Sequence, residues 1–222
     1  MQVVVLGTGR SGTNMILETL RGNDIFIPSI SVEDKHVFNR GGIIYPDYYL
    51  TKSDIEYTPW AMFANAMNLN LDMKIIWAIR DPRDTVLSKL YRGRQSEYWA
   101  YDATTWGCIG TMNMAFGFFL MLTSTYSERV YAVRMEDMLL NQEEVVKHMC
   151  GWIGIEYKDD MKYFYTRMRE KSKGYTNIDL GEIGKYKRLD TIYDGFFKDK
   201  HEEVDLIFNN IKYITQFFGY KL

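Results

Sequence analysis

A short apolar strand, a glycine-rich loop and a helix open the chain in that order. The strand is predicted over Gln2–Leu6, an uncharged and largely β-branched run of the kind that is buried on both faces of a sheet. The loop Gly7–Gly12 follows, and apolar residues that include Leu17 and Leu20 predict a helix that ends near Gly22. This order constrains the fold most, because strands that alternate with helices build parallel sheets.

The same order is repeated further along the chain. A second buried strand is predicted over Lys74–Ile79 with a helix beginning at Pro82, and a third over Val130–Val133 with a helix opened by Asn141. The last predicted helix covers about residues 200–218. We therefore predict an α/β protein with three α/β/α layers around a central parallel sheet. Because no repeat or linker interrupts the pattern, residues 1–222 are predicted to be one domain.

The charge and the cysteines exclude several classes of protein. With 27 basic and 29 acidic residues, the chain has no overall positive field for nucleic acid or an anionic membrane, so any anion site must be local. Cys108 and Cys150 fit neither a metal-ligand spacing nor a disulfide framework, and we expect packing thiols and no metal. The first residues lack the features of a cleaved secretion signal, so we expect a cytoplasmic protein.

A long uncharged segment raises the alternative of a membrane span. Residues 103–127 carry no charge, but the only unbroken apolar stretch among them is Met114–Leu122. That stretch is much shorter than the ~20 residues that a spanning helix needs. Helices that are apolar on all sides also occur in the centre of large cores, and a buried helix is the favoured interpretation.

The loop between the first strand and helix has the features of an anion site. A helix that begins directly after Gly7–Thr13 directs backbone N–H groups and its positive end at one point. Arg10 adds a forked cation, and Ser11, Thr13 and Asn14 add short polar side chains. The alternative is a tight turn in which Ser or Thr caps the helix. We predict a phosphate-binding loop after the first strand.

This loop differs from that of nucleoside triphosphatases at one decisive position. Their pattern, G-x-x-x-x-G-K-[ST], requires lysine after the second glycine, whereas Thr13 follows Gly12 here. Without that lysine the contact to the β- and γ-phosphates is lost. A kinase or ATPase is therefore the weaker interpretation of the loop.

A second polar segment, Arg80–Ser88, follows the second predicted strand. Strands of an open parallel sheet end at one rim, so this segment is expected beside the first loop. The sequence Arg-Asp-Pro-Arg-Asp, with serine eight places after the first arginine, resembles sulfotransferases that use 3′-phosphoadenosine 5′-phosphosulfate (PAPS). The resemblance implies that Arg10 to Asn14 hold the 5′-phosphosulfate and that Arg80 and Ser88 hold the 3′-phosphate. It also places Arg10 at the catalytic basic position.

Two further segments extend the resemblance. Val133–Met138 is similar to the family's Arg-Tyr-Glu-Asp-Leu segment and is interpreted as structural. Gly181–Lys187 resembles the Gly-x-x-Gly-x-Trp-Lys loop that closes over the nucleotide, although Tyr186 replaces the tryptophan and Asp179-Leu180 replaces a basic pair. A solvated turn is the alternative. The resemblance implies nucleotide contacts from Gly184, Lys185, Tyr186 and Lys187.

An acceptor hydroxyl needs a base, and the family often has Glu or His beyond the first helix. Glu33 is the first candidate here and His36 the second, because either can accept a proton when its surroundings adjust its pKa; a solvated charged loop is the alternative. The expected partners are PAPS and a hydroxyl or amine acceptor, with no nucleic acid and no membrane span. The sequence leaves open the acceptor, the oligomeric state, a kinase or ATPase, and a non-catalytic nucleotide-binding module.

Overall fold

The computed structural model describes residues 1–28, 49–54, 60–69, 71–94, 104–163 and 194–221. The strands in these ranges form one sheet in which every adjacent pair is parallel. They are β1 (Gln2–Gly7), β2 (Ile27–Pro28), β3 (Tyr49–Asp54), β4 (Met73–Ile79) and β5 (Val130–Arg134). Their order across the sheet is β2-β3-β1-β4-β5.

Helices alternate with these strands, as predicted. In the described ranges they are α1 (Thr13–Leu20), α2 (Trp60–Leu69), α3 (Pro82–Arg94), α4 (Thr105–Thr125), α5 (Met135–Leu140), α6 (Gln142–Ile153), α7 (Asp194–Phe197) and α8 (His201–Phe217). Short 3-10 turns cover Ser127–Arg129 and Asp159–Tyr163. Gly154 and Gly219, both with positive φ, end α6 and α8.

Two faces of the sheet are covered by different helices. Because side chains alternate along a strand, Val3 and Val5 of β1 lie on one face and Val4 and Leu6 on the other. The first face packs against α1 and α6, and the second against α4. A further apolar cluster joins α3, α4 and α8. This arrangement confirms the predicted three-layer α/β fold.

Helix α4 is the uncharged segment noted in the sequence. Among the described residues it is the one helix long and apolar enough to cross a membrane, with 21 residues and a mean hydropathy of 1.3 over its most apolar stretch. However, 56% of that stretch is buried inside the protein. Phe119 packs on Trp77 of β4, and Cys108 is a buried free thiol. These contacts are those of a core helix.

The strand order locates the place where a ligand can bind. From β1 the chain moves to one side of the sheet, to β2 and β3, and then returns to the other side for β4 and β5. The loops that follow β1 and β4 therefore begin side by side at the sheet's carboxyl rim, and the chain runs on from them toward opposite sides of the sheet. Open α/β sheets bind ligands in the crevice at this kind of switch point. The two predicted anion segments lie there.

Candidate functional site

The loop after β1 is a tight turn closed by its own atoms. The backbone N–H and the hydroxyl of Ser11 both donate to the carbonyl oxygen of Thr8, at 3.2 and 2.7 Å. Gly7 allows this close packing, because a Cβ atom there would lie 2.5 Å from the Ser11 hydroxyl and 3.0 Å from the carbonyl oxygen of Ala78. The hydroxyl of Ser11 is thus bonded within the loop.

Two residues of the loop, Arg10 and Gly12, have left-handed backbone. Gly12 has φ +95°, and a Cβ atom there would approach the side chain of Met135 to 3.2 Å. Arg10 has φ +72° and is the one non-glycine residue with positive φ in the described ranges. Such a conformation costs a non-glycine residue of the order of 1–2 kcal/mol and is concentrated at functional sites.

The amino terminus of α1 faces the turn without a side-chain cap. Gly12 is the N-cap residue and has no side chain with which to cap the helix, and the first turn contains no acidic residue. The alternative of a Ser or Thr cap is therefore not what the structure has. Helix N–H groups that lack a cap, together with the positive end of the helix, favour an anion at this position.

The loop after β4 is bonded to the loop after β1. A terminal nitrogen of Arg80 donates to the carbonyl oxygen of Arg10 at 3.3 Å, and Nε of Arg10 donates to the hydroxyl of Ser88 at 3.1 Å. Three residues from the two predicted segments, Arg10 of the first and Arg80 and Ser88 of the second, thus meet at one rim. Arg80 is only 8% exposed and Ser88 is fully buried.

Two buried polar atoms near this junction are left without partners. The Nε atom of Arg80 and the hydroxyl of Thr85 make no hydrogen bond to any described residue. Both residues line a small cavity of about 20 Å³ that also borders Thr8 and Ser11. The cavity is about the size of one water molecule and most of its lining side chains are apolar, so it does not itself hold a phosphate group. An unpaired buried donor is costly, and the free Nε of Arg80 therefore favours an acceptor group bound next to this loop.

The remaining arginine of the second segment has a supporting role. Arg83 forms a double hydrogen bond to the carboxylate of Asp81, at 3.0 and 2.7 Å, and its backbone N–H donates to the same carboxylate at 3.0 Å. Arg83 also donates to the carbonyl oxygen of Lys221 at 2.8 Å. It fixes the loop and the carboxyl-terminal segment.

A buried carboxylate, Glu136, lies behind this loop in the Val133–Met138 segment, and its contact with the Arg80 loop was not predicted from the sequence. Oxygen Oε1 of Glu136 accepts from the backbone N–H of Asp81, and Oε2 accepts from the hydroxyl of Tyr220, each at 2.8 Å. Burial raises the pKa of Glu136 above its ordinary value, although these hydrogen bonds and the charge of Arg80 act in the opposite direction. Burial, with the nearby Glu136, raises the pKa of Tyr220 as well. No spacing rule links positions so distant in the sequence.

Other predicted residues lie at the edge of the site or outside the described ranges. Thr13 is buried at the start of α1, and Asn14 next to it is exposed. The candidate bases Glu33 and His36 lie outside the described residues, as do Gly184, Lys185, Tyr186 and Lys187. Their assignments stay predictions.

The model of the sulfotransferase family matches residues 66–159, a little under half of the chain. The matched region contains β4, the loop that carries Arg80, and Ser88 at the start of the following helix. It also contains Glu136, which is hydrogen-bonded to that loop. Over residues 66–159 the chain is similar to the sulfotransferase family. The resemblance predicted from the sequence is confirmed for this region. No curated protein sequence matches this chain.

Solved structures of sulfotransferases share the fold. The sulfotransferase domain of the Synechococcus PCC 7002 olefin synthase is 14% identical with a TM-score of 0.61, over 100% of this chain and 96% of that one. Mouse sulfotransferase SULT7A1, solved with PAP, is 14% identical with a TM-score of 0.62, over 97% and 86%. Sulfotransferase STF9 from Mycobacterium avium is 13% identical with a TM-score of 0.59, over 100% and 77%. At such identities the likeness establishes the fold.

Proposed function

We propose that this chain is a sulfotransferase that moves a sulfuryl group from PAPS to a hydroxyl or amine of a carbohydrate, small molecule or protein. The proposal depends on one observation above all: Arg80 of the second loop is hydrogen-bonded to the backbone of the first loop at the switch point of the sheet. Two adjoining anion sites suit a nucleotide with phosphate groups at both its 3′ and 5′ positions. A structural relative, mouse SULT7A1, was solved with PAP.

The chain's own residues would divide the work as follows. The amino terminus of α1 and Arg10 hold the 5′ end of the donor, while Arg80 holds the 3′-phosphate. As the acceptor oxygen or nitrogen bonds to sulfur, the bond from sulfur to the 5′-phosphate oxygen breaks, leaving 3′,5′-adenosine bisphosphate (PAP). Arg10, which stays charged at all working pH values, stabilises the negative charge that develops on the leaving phosphate.

The proton released by the acceptor requires a base, and we assign Glu33 first and His36 second. Either assignment is tested by turnover with the true acceptor. Loss of a general base lowers the rate by about 10²- to 10⁴-fold and leaves donor affinity unchanged. Normal turnover of both Glu33→Gln and His36→Ala would exclude both residues as the base.

The nucleotide is tested by thermal unfolding without metal. A ligand at 100 times its dissociation constant stabilises the folded state by about 2.7 kcal/mol, which raises Tm by about 5–10 °C in a domain of this size. We expect this shift with PAP. A larger shift with ATP and magnesium would instead favour the kinase or ATPase.

The role of Arg80 is tested by comparing two nucleotides. Arg80→Ala should weaken PAP by about 10- to 150-fold, the equivalent of a charged hydrogen bond of about 1.5–3 kcal/mol. Adenosine 5′-phosphosulfate lacks the 3′-phosphate and should bind almost unchanged. Arg94→Ala is the matched control, because Arg94 lies at the last residue of α3, the helix that follows the Arg80 loop, and pairs with Glu203 of α8. Equal losses for both nucleotides would contradict the assignment of Arg80.

A further inference from the structure

We propose that Glu136 and Tyr220 are positioning residues that set Arg80 for binding of the 3′-phosphate. The inference rests on the proposed function, since it concerns the same nucleotide. Neither residue contacts the predicted anion site directly; each acts through the loop that carries Arg80.

The first link is the peptide group between Arg80 and Asp81. Its N–H, which belongs to Asp81, donates to Oε1 of Glu136 at 2.8 Å, so Glu136 fixes the plane of the peptide that leaves Arg80. Glu136 is 7% exposed, and water therefore has little access with which to replace this bond. Rotation of that peptide would change the direction of the Arg80 side chain relative to Arg10.

The second link is to the first loop. Met135, the neighbour of Glu136, packs so closely under Gly12 that an added Cβ atom would come within 3.2 Å of its side chain. Consecutive residues at the start of α5 thus contact both anion loops, one through packing and one through a hydrogen bond. The contacts of Met135 and Glu136, together with the hydrogen bond from Arg80 to Arg10, therefore set the distance between the two loops.

The third link is the carboxyl-terminal segment. The hydroxyl of Tyr220 donates to Oε2 of Glu136 at 2.8 Å, and the guanidinium of Arg134 lies 4.2 Å from the centre of the Tyr220 ring. One residue further, the carbonyl oxygen of Lys221 accepts from Arg83. The segment therefore supports Asp81 from both sides: through Glu136 at its N–H and through Arg83 at its carboxylate.

Removal of one hydroxyl tests this chain of contacts. Tyr220→Phe keeps the ring over Arg134 and deletes the bond to Glu136. Perturbing a residue that acts on a site through other residues changes the binding free energy by modest amounts, so we expect PAP to bind about 3- to 10-fold more weakly by calorimetry. Adenosine 5′-phosphosulfate, which does not use the 3′-phosphate site, should keep its affinity.

Tyr213→Phe is the matched control. Tyr213 lies on α8 and donates its hydroxyl to Asn113 at 2.7 Å, a bond of the same kind at an exposed place. We expect no change in either nucleotide affinity. A Tyr220→Phe variant that binds PAP as the wild type does, or that loses both nucleotides equally, would overturn the positioning role. Absence of PAP binding in the wild type would contradict the proposed function instead.

Glu136 supplies a second pair of variants, which carries the test if Tyr220→Phe does not fold. Glu136→Gln keeps an oxygen for the N–H of Asp81 and an amide group opposite Tyr220, so PAP affinity should stay within about 3-fold of the wild type. Glu136→Ala leaves that N–H buried without an acceptor, and PAP affinity should fall by about 10-fold or more. Equal PAP affinity of the two variants would refute the inference.

Discussion

Replacing Arg10 by glycine and by alanine separates backbone strain from side-chain function. At φ +72° Arg10 occupies the left-handed region that favours glycine. Both variants lose the guanidinium and its bond to Ser88. Only the alanine variant keeps a Cβ atom in the strained conformation. The difference in stability between the two variants therefore excludes the lost contacts and contains the strain together with the greater flexibility of glycine in the unfolded chain.

The magnitude follows from two opposing effects. Left-handed backbone costs a residue with a Cβ atom about 1–2 kcal/mol, which glycine avoids. Glycine also makes the unfolded chain more flexible and so loses about 0.4–1 kcal/mol of stability relative to alanine. The sum predicts that Arg10→Gly is more stable than Arg10→Ala by about 0.5–1 kcal/mol. At positions with ordinary right-handed or extended backbone, the alanine variant is instead the more stable of the two.

Thermal unfolding of the two variants without ligand is the assay. For a domain of about this size the difference corresponds to about 1–4 °C in Tm, with the glycine variant higher. Both variants should lose most sulfuryl transfer, because neither has the cation that stabilises the leaving phosphate. An alanine variant as stable as the glycine variant would refute the left-handed conformation of Arg10 as a source of strain.

Two further predictions concern stability. Nζ of Lys74 donates at 2.6 Å to the carbonyl oxygen of Trp152 and so caps the carboxyl end of α6. Lys74→Met should therefore lower the free energy of unfolding by about 1–2 kcal/mol. An unchanged midpoint of urea unfolding would contradict this role of Lys74. Burial raises the pKa of Glu136 above 4.5, so its contribution to stability is fully present below that pH and is lost as the pH rises through the raised pKa. Measured by urea unfolding from about pH 4 to pH 8, the wild type should lose stability relative to Glu136→Gln, and a constant difference would contradict the shift.

The fold was predictable where strands are buried on both faces. β1 and β4 are apolar runs, and their ends, next to the glycine loop and Arg80, locate the rim. β3 was not predicted, because its residues Thr51 to Asp54 are polar and carry no alternating pattern. β3 lies beside β1 because its residues pair with residues distant in the sequence, such as Thr51 with Val4. A local sequence pattern does not reveal such pairing.

Part of the site was predictable for a related reason. Arg10, Arg80 and Ser88 belong to short motifs, and a motif is visible in one segment. Tyr220 was not considered, since its partner Glu136 lies 84 positions away and the contact depends on how α8 ends against the sheet. Sequence patterns identify groups that bind ligand, whereas the groups that hold them in place become visible only in three dimensions.

The hydrogen bonds that join the two loops also stabilise the strained backbone of Arg10. The left-handed backbone at Arg10 is unfavourable by itself, but its carbonyl oxygen accepts from Arg80 and its Nε donates to Ser88, so the second loop stabilises the conformation of the first. The second loop is in turn held by Glu136, which is buried and accepts two hydrogen bonds. Because these bonds form within the protein, the ligand does not have to supply the energy of ordering the loops. The binding free energy of a nucleotide is then available for the charged contacts themselves.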